Sequence, residues 1–303
     1  MSFASTLESP HARSGLFALV FAPAALVLLG SSMADVQAQT AIGQPLASVE
    51  GLIGMALATI IVALVSMNCD ESPAGMIVTS ASSVVVGACQ GAGLLRVPLL
   101  QASLIDAPDM RAAVAWSLYP VAVTVITGCA AAALARAGRP VRGPRPAPRP
   151  DAPHRTILRH RHAWVAGFAI PAALLALLLL VDVAPWDTTE VASLGLSALA
   201  PTRALAAPKA LAAALLLGLV ALLSRFSLTG PQAAAWFLMA LPGYAIWPLW
   251  TSISGAVVTP GPSPLTALAL ASPVVAALGM LLGASTIGVY WARARAEAPD
   301  SSD

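Results

Sequence analysis

From Phe226 to Ala292 the chain carries no charged side chain. So long an apolar run cannot be covered by the few charges elsewhere, and it is too long for a single helix crossing about 30 Å of hydrocarbon with about 20 residues. Pro260-Gly261-Pro262-Ser263-Pro264 divides it into two helices. The rest of the chain is similar: 58% of its 303 residues are hydrophobic and 10% charged, where a soluble domain has about 25% charged residues. With a mean hydropathy of +0.80, the bilayer is the expected solvent.

The gaps between charges predict an all-α polytopic membrane protein of eight spans. They run from about Ser14 to Met33, Gly51 to Asn68, Pro73 to Leu95, Ala112 to Ala135, Ala163 to Val181, Leu205 to Ser224, Pro231 to Trp250 and Leu265 to Ala292. The sixth is short by charge, so Lys209 is expected to snorkel outward. Arg13, the apolar run Leu16 to Leu29 and Val36-Gln37-Ala38 also have the layout of a secretory signal. A retained first helix is expected instead, because it has a counterpart later in the chain.

That counterpart belongs to an expected duplication. Pro23-Ala24-Ala25-Leu26 matches Pro171-Ala172-Ala173-Leu174, and Val62-Ala63-Leu64-Val65-Ser66 matches Val220-Ala221-Leu222-Leu223-Ser224. Pro73 pairs with Pro231, and Pro120-Val121 with Pro273-Val274. Residues 1–135 and 163–295 then form two four-helix repeats, joined by a linker over 136–162 and followed by a disordered tail over 296–303. With an even number of helices each, the repeats are parallel. Pro23, Pro120, Pro171 and Pro273 fall mid-helix and are expected to act as packing bends.

The linker holds eight of the sixteen basic residues, Arg136, Arg139, Arg142, Arg145, Arg149, Arg155, Arg159 and Arg161. Eight spans put these on one side with Arg13, Arg225, Arg293 and Arg295, leaving Arg96, Arg111, Arg203 and Lys209 opposite. Positive loops stay inside, so a cytoplasmic-membrane protein with both termini cytoplasmic is expected. Arg139, Arg142, Arg145, Arg149, Arg155, Arg159 and Arg161 are candidate contacts for anionic lipid headgroups or an acidic protein. No aromatic residue lies between Arg136 and His162 to stack on a base, so nucleic acid is not an expected partner.

Chemistry-bearing residues are sparse. There is no metalloprotease, P-loop or nucleophile-elbow motif, and the His160/His162 tract sits among arginines that repel cations. No enzyme activity, metal or cofactor is expected. Cys69, Cys89 and Cys129 lack C-x-x-C spacing and read as small buried residues. The third predicted helix is hydroxyl-rich and contains Gln90, whereas the seventh is aromatic. Ser83, Gln90, Trp236 and Tyr244 are therefore the candidate pocket lining. The functional expectation is a non-enzymatic interaction or accessory component; the alternative is a transporter of a neutral or lipid-like small molecule, with its path between the repeats.

The orientation has a direct check. A reporter active only in the cytoplasm, fused between Val141 and Ala152, should be active; a periplasmic readout would reverse the topology.

Overall fold

The computed structural model describes residues 9–44, 48–94, 110–137, 154–186, 205–240 and 264–297. All regular structure among them is helical: α1 Pro10–Ala41, α2 Val49–Met67, α3 Ala74–Gly91, α4 Met110–Ser117, α5 Tyr119–Ala137, α6 His154–Val183, α7 Ala206–Leu223, α8 Thr229–Ala240 and α9 Pro264–Glu297. Seven of these, all except α4 and α8, are long and apolar enough to cross a membrane. Large side chains such as Leu19, Val20, Ile53, Ile60, Val85, Leu178 and Leu215 face outward. An exposed apolar surface of this extent suits lipid rather than water.

Several boundaries differ from the sequence reading. The first helix extends to Ala41, beyond the expected end at Met33, and buries Asp35, Gln37, Gln39 and Thr40. Ser9 starts it by accepting from the Ala12 amide (3.2 Å), and Pro10 needs no donor there. Tertiary partners make its polar end tolerable: Ser48 Oγ donates to the Asp35 carboxylate, and Gln37 Nε2 donates to the Leu270 carbonyl (3.0 Å). The expected fourth helix is two helices, broken at Leu118, a non-glycine residue at φ 46°. Pro120 is thus the second residue of α5 and not a mid-helix bend, whereas Pro23, Pro171 and Pro273 do lie inside helices. Helices α5 and α6 take up both ends of the expected linker; residues 138–153 lie outside the described residues. So do residues 241–250, the second half of the expected seventh span. Lys209 does reach outward, where its Nζ pairs with Asp182 Oδ2 at 2.5 Å.

The packing repeats itself. Helix α1 packs on α2 and α3, and α3 packs on α5; α6 packs on α7 and α8, and α8 packs on α9. The two sets of helices meet where α5 lies on α7, α2 on α9, and α5 on α9. Helix α9 is the central member. It also reaches α1, and 83% of its apolar stretch is buried, against 33–50% in the other six candidate spans.

The α2–α9 crossing depends on glycine. Ser66 Oγ donates to the Ser285 carbonyl (2.9 Å) and accepts from the Gly288 amide (2.9 Å), and a Cβ at Gly288 would overlap the Ser66 carbonyl. Gly218 of α7 rests on the Val125 side chain of α5, with the Val125 carbonyl 3.4 Å from where a Cβ would stand. Such contacts substitute for the hydrophobic drive that lipid cancels.

Gly288→Ala should therefore lower stability by about 1–3 kcal/mol, read as a fall in Tm in detergent. Gly167→Ala, with open space around it, should not. Equal Tm values for the two variants would show that the crossing yields freely.

Candidate functional site

Two corners at one end of the bundle are built alike. In the first, Ser72 Oγ accepts from the Ala74 amide (3.2 Å) at the start of α3 and bonds to Nδ1 of His11, from the first turn of α1. In the second, Ser227 Oγ accepts from the Thr229 amide (3.3 Å) at the start of α8 and bonds to Nδ1 of His162 in α6 (2.7 Å). Three residues beyond each serine is a glycine, Gly75 or Gly230. Three residues beyond each histidine is the backbone on which that glycine rests, Ser14 or Val165. A Cβ at either glycine would come within 2.9 Å of the Ser14 carbonyl oxygen or 2.8 Å of the Val165 one. Each unit is a His–Ser clasp, holding one helix, near its start in α1 and two turns in for α6, against the turn before another.

The register continues beyond the clasps. Ser80 touches Gly128 where Ala235 touches Gly283. Ser83 bonds to Thr124 Oγ1 (2.7 Å) where Leu238 meets Gly279. Each of these pairs, like Ser72/Ser227 and Gly75/Gly230, is separated by 155 residues.

The two corners carry opposite charge. Asp70 and Glu71 lie before Ser72. Arg295 Nη1 approaches Asp70 Oδ2 (2.9 Å) and Glu71 Oε1 (2.6 Å), while Arg13 Nη2 reaches Glu71 Oε2 (3.4 Å). This network joins α1, the α2–α3 turn and the end of α9. The places 155 residues on hold Arg225 and Phe226, with the guanidinium 4.2 Å from the ring centroid. Beside that second corner is a cavity of about 470 Å³, reached by Arg161, His162, Thr229, Gln232, Tyr290 and Arg293.

The far end of the bundle holds a different set of groups. Among the described residues, five buried side-chain atoms have no hydrogen-bond partner: Ser32 Oγ, Gln37 Oε1, Gln90 Nε2, Trp116 Nε1 and Tyr119 Oη. They come from the later part of α1, the last turn of α3, and the two sides of the Leu118 break, on helices that pack on one another. Buried polar atoms are nearly always paired; of these five, Ser32 lies against Gly54 of α2 and Gln37 against Leu270 of α9, while Trp116 and Tyr119 flank the strained Leu118.

The sequence-predicted lining separates. Ser83 is buried and spent on the α3–α5 contact, through the Ser80 carbonyl and Thr124. Gln90 is buried with its amide nitrogen unpaired. Trp236 is 66% exposed and faces out of the bundle. Tyr244 lies outside the described residues, as do Arg139, Arg142, Arg145 and Arg149. Arg155 and Arg159 fall on α6, and Arg161 lines the cavity. The clasps escape the sequence reading, which pairs Pro73 with Pro231. The usable signal is Ser-x-x-Gly at the start of each third helix. Trp116 and Tyr119 escape it as well, because they look like interfacial aromatics. No family model, curated protein or solved structure matches this chain.

Cys69, in the first corner's turn, donates to the Val65 carbonyl (3.1 Å). Burial pushes its thiol up to about 11, helped by neighbouring Asp70 and opposed by hydrogen bonds from the Met76 and Gly75 amides. Thiolate is the reactive form, so N-ethylmaleimide should label Cys69 slowly at pH 7–8 in the Cys89→Ala/Cys129→Ala background. Labelling should accelerate as pH rises toward 11 or on denaturation. Rapid labelling of the folded protein at pH 7 would contradict the buried turn.

Proposed function

We propose that this chain is an eight-span membrane transporter for a neutral, hydrogen-bonding small molecule. It is built from two parallel four-helix repeats with both termini cytoplasmic, and the solute-binding groups lie within the first repeat. The observation that carries the reading is the set of five buried, unpaired polar atoms at the far end. An unsatisfied polar group in hydrocarbon costs several kcal/mol. Trp116 Nε1 and Gln90 Nε2 are donors, Gln37 Oε1 is an acceptor, and the Ser32 and Tyr119 hydroxyls are both. None of the five atoms is charged. A solute with donors and acceptors but no net charge is the complement of such a set.

The recurring helix pairings and clasps support the duplicated architecture. The excess of basic residues on the clasp side supports a cytoplasmic placement for that end. The Arg13–Glu71–Arg295–Asp70 network, which ties α9 to α1 and the α2–α3 turn, then serves as the inner closure. Rocking of one repeat against the other is the motion such tandems use to expose a site alternately. The accessory role expected from the basic loop depends on residues 138–153, and no described feature favours it over transport.

Stopped-flow light scattering on proteoliposomes, with a panel running from glycerol and urea to monosaccharides, tests the reading. Flux of at least one such solute should exceed that of protein-free vesicles. Gln90→Leu or Trp116→Phe should reduce it by about tenfold, the equivalent of one lost hydrogen bond of about 1.4 kcal/mol. Background permeability for the whole panel, or flux indifferent to both substitutions, would sink the proposal.

A further inference from the structure

The two clasp corners share a geometry but differ in how their charge is balanced. In the first, Arg13 and Arg295 are met by Glu71 and Asp70. In the second, Arg161 and Arg293 both reach the same cavity, and neither forms an ion pair among the described residues. Among the described residues, no carboxylate lines that cavity. His162 adds a ring whose Nδ1 is already engaged by Ser227, leaving Nε2 as its remaining polar atom. Gln232 is held by its Nε2, which donates to the Gly283 carbonyl (2.9 Å) and Thr286 Oγ1 (3.1 Å). Tyr290 supplies a ring and a hydroxyl at the mouth. Guanidinium pairs recognise phosphate through forked, charge-assisted hydrogen bonds. A volume of about 470 Å³ falls within the range of ligand pockets, about 300–1,000 Å³, and is more than a bare phosphate fills.

We propose that this second corner is a binding site for a phosphate-bearing organic anion, with Arg161 and Arg293 clamping the phosphate and His162 assisting. The counter-charge that the described residues of the second corner lack is then supplied by a ligand, where the first corner has Asp70 and Glu71. A phospholipid headgroup and a soluble phosphate ester present the same chemistry. The site lies at the opposite end of the bundle from the unpaired polar atoms, so it stands or falls separately from the transport reading.

The experiment compares the Tm of the delipidated full chain in neutral detergent after adding dioleoylphosphatidylglycerol, dioleoylphosphatidylcholine or soluble glycerol 1-phosphate. Phosphatidylglycerol should raise Tm by about 2–4 °C over phosphatidylcholine. The rise should disappear in Arg161→Gln/Arg293→Gln and persist in Arg142→Gln/Arg145→Gln, which removes loop charge only. An equal rise with glycerol 1-phosphate would support the site and assign it a soluble ligand. No rise with either anion, or a rise that survives in Arg161→Gln/Arg293→Gln, would overturn it. Should that double variant not fold, Arg161→Lys/Arg293→Lys keeps the charge without the fork and should weaken the rise. Phosphorus assay of the purified chain gives a second measure: bound phosphate per chain should fall in the Lys variant, and an unchanged content would count against the clamp.

Discussion

Lipid tails are as apolar as leucine, so burying an apolar helix face against another helix gains little inside a bilayer. A chain of this composition must be ordered by other means, and here these are glycine and hydroxyl. Where α2 crosses α9, Gly288 brings the two backbones close enough for Ser66 to serve a carbonyl and an amide of the neighbouring helix at once. Where α3 crosses α5, Ser80 donates to the Thr124 carbonyl (3.0 Å) and Ser83 bonds to its hydroxyl. Where α8 crosses α9, Gln232 does the same work from a longer side chain. The greasy surface decides that the helices are in the membrane, and the few small and polar residues decide which helix lies on which.

That division explains what the sequence discloses. Spans are legible because charges bound them: every candidate span overlaps a stretch read from charge gaps. The length of α1 is not legible. Asp35, Gln37 and Thr40 look like a loop, and they become helix only because Ser48 and the Leu270 carbonyl meet two of them from elsewhere in the chain. The break at Leu118 has a local signal in Pro120, two residues on, but proline alone does not separate a bend within one helix from the start of a new one. The clasps join residues 61 and 65 positions apart, and no local pattern announces a pair at such separation. The candidate site is half legible. Gln90 stands out as an amide in an apolar helix, whereas the unpaired state of Trp116 and Tyr119 depends on what surrounds them.

Under the proposed duplication, proline gives a tempting but loose alignment of the two halves. Pro23 and Pro171 are 148 residues apart, while His11 and His162, on the same two helices, are 151 apart. The difference is nearly one helical turn of 3.6 residues. A kink tolerates being moved along a helix by a few residues. A backbone contact through glycine does not, so glycine and its partner keep the better record of register.

Arg293 and Arg295 sit two residues apart near the end of α9, hence roughly 200° apart around its axis. One reaches the cavity at the second corner, and the other holds the carboxylates of the first. A rigid helix cannot turn one of them without turning the other. The last turn of α9 thus presents one arginine to each corner.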